Sequence, residues 1–211
     1  RHPGNLNPMM CNACEDFAKG NPGGAEIEVT LLFADVRGST TIAEQMSPSV
    51  FSQLMDRFYG AATTMAAHTD GLIEKFVGDE AAVMYLPGIA GPDHARRAVE
   101  AAHLLLKATG HDRPDGPWLP VGVGIHTGIA FVGAVGSAGV TQFTALGDTA
   151  NTAARLASNA PAGEILVSDD TYASAGLDRP DLEQRRLELK GKSEPFGVRV
   201  IRLPVDAARR H

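Results

Sequence analysis

Cysteine is almost missing from this sequence: only Cys11 and Cys14 occur, in "CNAC". A secreted scaffold stapled by disulfides is excluded, because such scaffolds draw on many more cysteines. The pair has the spacing of half a zinc site, but no second pair follows, so two reduced thiols are expected. The alternative is a site completed by His2 or by the same pair of a second subunit. Basic charge is short as well: 19 Lys and Arg against 25 Asp and Glu leave a net charge of −6. That balance excludes a general nucleic-acid or anionic-membrane surface, so an anionic ligand needs a local site. No apolar run approaches the roughly 20 residues that span a bilayer, and nothing resembles a signal peptide. The expectation is a soluble, cytoplasmic segment without membrane contact. Because the chain begins at Arg1 and not at methionine, a longer protein with an upstream regulatory region is also expected.

What is present suits a single globular domain: 211 residues, 44% of them hydrophobic, bury a sizeable core. Residues 1–25 are rich in Gly, Pro and Asn and read as a leader with at most one short helix; the domain spans 26–205, and 206–211 form a tail. "IEVTLLFADV" is a buried strand with Asp35 near its end. From Ser47, the residues Val50, Phe51, Leu54, Met55, Phe58, Ala62 and Met65 recur at helical steps. "LIEKF" and "AAVMYL" form a hairpin turning at Val77, Gly78 and Asp79. A helix over "DHARRAVEAAHLLLKATG" follows, then an exposed connection with Trp118 as a packing anchor. "VGVGIHTG", "IAFVGAV" and "TQFTALG" are strands, "DTANTAARLASNA" is a helix with Asp148 as its N-cap, and "EILVS", "RRLELK" and "FGVRVIRL" complete the strands. This order predicts an α+β fold: a ferredoxin-like βαββαβ core with additional elements, its helices on one face of a mostly antiparallel sheet.

Two carboxylates, Asp35 at a strand end and Asp79 in a hairpin turn, could together hold Mg²⁺, which takes oxygen ligands from one or two carboxylates plus substrate phosphates. An ordinary turn aspartate is the competing reading. After Asp35, the small-residue turn "VRGSTT" can point backbone N–H groups at a phosphate chain. Asn151 and Arg155 project from one face of their helix, where an arginine fork can meet a phosphate or simply be solvated. "VGVGIHTG" superficially suggests a dinucleotide loop, but its glycine spacing is wrong and it lies within a strand. His126 there reads as a packed or hydrogen-bonded strand residue.

Five motifs, "VTLLFADVRGST", "EKFVGDEAAVMY", "VGVGIHTG", "FTALGDTANTAARL" and "LELKGK", together resemble, in order, those of the class III nucleotidyl cyclase catalytic domain. The resemblance implies two Mg²⁺ or Mn²⁺ per site, held by Asp35, Asp79 and the carbonyl of Val36. It implies that Lys75 and Thr144 read the purine, that Asn151 positions the ribose, and that Arg155 stabilises the transition state. Lys190 would meet the terminal phosphates, with Gly38, Ser39 and Thr40 also binding substrate. It further implies a homodimer with shared active sites, in which Asp35, Lys75 and Asp79 come from one protomer and Thr144, Asn151 and Arg155 from the other. Glu80 receives no role and is expected to face solvent.

The pair Lys75 and Thr144 complements adenine, whose N1 accepts and whose amino group donates, so ATP is the expected substrate. Guanylyl cyclases resemble the pattern except for an acid at the lysine position. The threonine is similar to the subgroup of soluble, bicarbonate-responsive cyclases. Where membrane-type relatives have an arginine, this chain has Ile129, and Arg37 or Lys192 is expected to compensate. The alternatives are a catalytically silent nucleotide-binding regulatory module, a guanylate cyclase, and a diguanylate cyclase suggested by "FVGDEAAV".

Overall fold

The computed structural model describes residues 23–137 and 140–205, so residues 1–22 of the leader, with Cys11 and Cys14, and the tail lie outside the described residues, whereas 23–25, read as the end of the leader, open the first strand. The apolar run of the first motif forms β1, Gly23–Val36. A short helix α1, Ser39–Glu44, leads to α2, Pro48–His68. Ser47 caps α2 by accepting from the Val50 N–H, and Pro48 sits at the first turn, where its missing N–H costs nothing. The hairpin is β2, Leu72–Val77, and β3, Glu80–Tyr85. Beyond a one-turn helix α3, Pro87–Ala90, lies α4, His94–Ala108. Then come β4, Val121–Ser137, β5, Val140–Leu146, and α5, Asp148–Asn159. β6, Glu164–Ser168, α6, Asp169–Ser174, β7, Glu183–Leu187, and β8, Phe196–Arg202, finish the domain.

These strands make one sheet in the order β2-β3-β1-β4-β6-β8-β7, with β5 on β4. Its first four members are antiparallel, the arrangement of a ferredoxin-like core. β4 is one strand running through Gly128, where the sequence suggested two. Its first part pairs with β6 in parallel and its later part with β5, while β1 lines its whole other edge up to Ala134.

Side-chain alternation decides what each face buries. Leu32, Ala34 and Val36 of β1 face the larger core, with Phe58 and Met65 of α2 and Leu105 and Leu106 of α4. Phe58 is fully buried, and its truncation to alanine would cost about 3–5 kcal/mol. Val29, Leu31 and Phe33 face the other way and are covered by Ala153 and Ala157 of α5. Helices therefore cover both faces, a correction to the one-sided layer expected from element order. The glycines of "VGVGIHTG" explain how α5 lies so close. A Cβ at Gly122 would stand 2.2 Å from the Ala160 carbonyl oxygen, and one at Gly124 would stand 2.2 Å from the Ala157 nitrogen.

Smaller departures have local causes. Asp148 is the first helical residue of α5 and not its N-cap, which is Gly147; the Asp148 carboxylate is drawn instead to Lys192. The strand expected over "RRLELK" ends at Leu187. His126 is 6% exposed, bonds Ser168 Oγ at 2.9 Å and meets Phe196 edge-on, which bears out its reading as a packed strand residue. Trp118 donates to the Ala108 carbonyl at 2.9 Å and packs under Arg57, as an anchor should. Among the described residues, no helix is long and apolar enough to cross a membrane.

Candidate active site

Three groups of candidate residues form on this frame. At the end of β1, Asp35 stands opposite Glu80, and the Val36 N–H donates to the Asp79 carbonyl at 3.1 Å. Residues opposed across antiparallel strands have Cα atoms about 4.5–5.5 Å apart, so the hairpin turn brings Asp79 beside Asp35. Tyr59 of α2 braces that turn: its hydroxyl donates to the Gly78 carbonyl and its ring stacks on Phe76 at 4.4 Å. Sequence periodicity overlooked Tyr59 because it sits beside, not within, the apolar stripe of α2.

Asp35 carries a stand-in cation: the Arg37 guanidinium pairs with it, and Arg37 Nη1 donates to the Ser158 carbonyl at 2.7 Å. Burial lowers the pKa of Arg37, with the Asp79 charge acting in the opposite sense. A site that attracts a guanidinium suits a divalent cation, and hard oxygen donors are the right chemistry for Mg²⁺ or Mn²⁺. Among the described residues, however, no group of three or more His, Cys, Asp or Glu could hold a metal. Asp35, Asp79 and the Val36 carbonyl thus fit a cation whose shell is completed by nucleotide phosphates and water, not a cage made by protein alone. Gly38, in a left-handed conformation at φ 69°, opens α1 directly behind this group, with Ser39 and Thr40 in its first turn. Glu80 is half-buried, which corrects its expected solvent-facing position. Burial holds its carboxyl above the ordinary range, against the pull of Lys75.

The second group is built by an irregularity. The register of β2 on β3 passes from Ile73 opposite Val83 to Lys75 opposite Ala82, leaving Glu74 as an extra residue in a bulge. The Glu74 side chain is 1% exposed, and its Oε1 accepts from Lys75 Nζ at 3.2 Å and from the Thr144 hydroxyl of β5. Lys75 and Thr144 therefore meet within one chain, which corrects their expected placement on different protomers. Glu74 was overlooked because strand alternation gives no sign of a bulge.

The third group lies on α5. Asn151 is exposed and Arg155 half-buried, and the Arg155 guanidinium rests against Gly191, where an added Cβ would be 3.4 Å from Nη1. Gly191 adjoins exposed Lys190, so the arginine and that lysine share one neighbourhood. The two cations expected to replace the missing arginine are both engaged: Arg37 with Asp35, and Lys192 with Asp148. Lys192 holds the Asp148 carboxyl below its usual pKa. Ile129 itself is 60% exposed.

Known proteins are similar to this chain in sequence and in fold. The chain is 36% identical over 134 residues to Adenylate cyclase 1 of Rhizobium meliloti (strain 1021), which covers 61% of this chain and 20% of that protein. The chain thus spans about a fifth of that relative's length. The crystal structure of the guanylyl cyclase Cya2 superposes with a TM-score of 0.75 at 28% identity, covering 89% of this chain and 97% of that one. The adenylyl cyclase CyaB from P. aeruginosa superposes with a TM-score of 0.72 at 29% identity, covering 84% of this chain and 95% of that one. The model of the adenylate and guanylate cyclase catalytic domain matches residues 25–199, and with the fold and site above it makes this chain a member of that family.

Proposed function

We propose that this domain converts ATP to 3′,5′-cyclic AMP and pyrophosphate in the cytoplasm, as a homodimer whose active sites are shared. The observation that carries the reading is the meeting of Lys75 and Thr144 in one chain, where a donor and a hydroxyl stand ready to read adenine. In each site, Asp35, Val36 and Asp79 of one protomer face Lys75, Thr144, Asn151, Arg155 and Lys190 of the other. Asn151 orients the ribose so that its 3′-hydroxyl lies in line with the α-phosphate, which removes much of the entropic barrier. Arg155 and Lys190 present fixed positive charge to the phosphates as negative charge moves toward the leaving pyrophosphate. Asp35 and Asp79 would hold the divalent ions that, when bound, lower the pKa of the attacking hydroxyl and neutralise the leaving group. Arg37 must leave Asp35 before that happens.

Incubating the purified protein with ATP or GTP and Mn²⁺, then identifying the products, tests the reading. Predominant cyclic AMP is expected. Equal yields of cyclic AMP and cyclic GMP under matched conditions would defeat the adenylate assignment, and failure of both nucleotides to turn over would defeat the enzymatic one.

A further inference from the structure

The bulge that buries Glu74 leaves that carboxylate half-satisfied. Oε1 has two donors, Lys75 and Thr144, whereas Oε2 is buried and has no hydrogen-bond partner. A buried carboxylate oxygen without a donor is costly, and native proteins seldom leave one unless something else supplies the proton. Because Oε2 belongs to the same carboxylate that touches both base-reading side chains, a nucleotide base is the natural source.

The bond from Thr144 also fixes the polarity of its hydroxyl. A threonine hydroxyl has one proton and two lone pairs, and here the proton points at Glu74. Thr144 can then only accept from a ligand. A base seated against this cluster would find two acceptors, Thr144 Oγ1 and the unpartnered Glu74 Oε2, beside one donor, Lys75. Adenine matches it: the 6-amino group has two N–H donors, and N1 accepts from Lys75. Guanine places a carbonyl oxygen at position 6, leaving acceptors to face an acceptor with a buried carboxylate close by. Sites built around buried polar groups reject ligands that leave those groups unpaired more strongly than apolar pockets reject a change of size.

We propose that Glu74 is a third base-reading residue, which accepts from the 6-amino group of adenine and holds the Thr144 hydroxyl as an acceptor. This rests on the adenylate reading of the same site. The test compares wild type with Glu74→Gln, using ATP, GTP and purine riboside triphosphate, which is ATP without its 6-amino group, each at saturating Mn²⁺. Wild type should lose about tenfold to a hundredfold in kcat/KM when the amino group is removed, the usual worth of a hydrogen bond to a charged group. Glu74→Gln should lose no more than about threefold for the same removal, with the difference in KM, and its ATP-to-GTP ratio should fall by a comparable factor. An equal loss in both proteins, or a ratio that is unchanged or higher in Glu74→Gln, overturns the proposal; a higher ratio would mean that the carboxylate reads the N1–H of guanine. If wild type prefers ATP and Glu74→Gln keeps that preference, only the role of Glu74 falls. If wild type shows no preference for ATP, the adenylate reading falls with it. Should Glu74→Gln fail to fold, Thr144→Val decides: the penalty for removing the amino group persists at tenfold or more if Glu74 reads it, and vanishes if Thr144 alone does.

Discussion

Placing Lys75 beside Thr144 makes a complementation experiment decisive. Consider Asp35→Ala and Lys75→Ala, each inactivating by a different route. If Asp35 acts from one protomer and Lys75 from the other, a mixed dimer has one site with both lesions and one with neither. Random pairing at equal amounts gives mixed dimers for about half of the population, and half of their sites are intact, so roughly a quarter of wild-type activity should return. Lys75→Ala homodimers form about a quarter of the mixture, and with a tenth of normal turnover left in each they contribute only about 2–3%. Tagging the two chains differently and isolating the mixed dimer should raise the recovery to about half of wild type. Cyclic AMP formation with Mn²⁺ is the assay. Had Lys75 shared a half-site with Asp35, every site of a mixed dimer would carry one lesion, and only the residual turnover of the sites with the lysine lesion, about 5% of wild type, would remain. Isolated mixed dimers that remain at background would refute the division drawn from the contact through Glu74.

Other outcomes follow from named contacts. Gly124→Ala should destabilise the domain by about 1–3 kcal/mol or more, because the new methyl group would meet the backbone of α5 at Ala157, and a thermal or denaturant melt reads it. Activity of the folded fraction should also fall, since Asn151 and Arg155 ride on that helix. Arg37→Ala should tighten Mn²⁺ binding in the absence of nucleotide by roughly threefold to tenfold, measured calorimetrically, since an exposed-to-half-buried ion pair with Asp35 no longer competes; weaker binding would show that Arg37 helps to hold the site. Burial pushes the pKa of His126 below its ordinary 6.5, so the folded state binds fewer protons than the unfolded state just below that pH. Its contribution to stability should be complete above about pH 6.5 and shrink as pH falls through the window beneath it, and His126→Gln should flatten that part of the pH–stability curve.

Much of the fold was legible because periodicity reports which residues share a face. The apolar run before Asp35, the stripe of α2 and the turn at Gly78 all have local causes, and each forms where expected. Asn151 and Arg155 were legible as a pair because one helix turn separates them. The difficult residues were those whose partner is far away. Glu74 reads as an ordinary strand acid until a bulge shifts the register and Thr144, 70 residues later, donates to it. Likewise, nothing local to Asp148 says that Lys192 will draw its carboxylate.

By itself the sequence determined the elements, the polar residues available to the site and the resemblance of five motifs in order, because these depend on neighbours along the chain. Only the tertiary structure decided that α5 covers the face opposite α2 and α4, that glycines at 122 and 124 let it approach, and that Lys75 and Thr144 share a protomer. The physical reason is closure. A strand has two faces and two edges of equal local merit, and which one meets a given partner is settled only when the whole chain packs, satisfies its buried polar groups and excludes water.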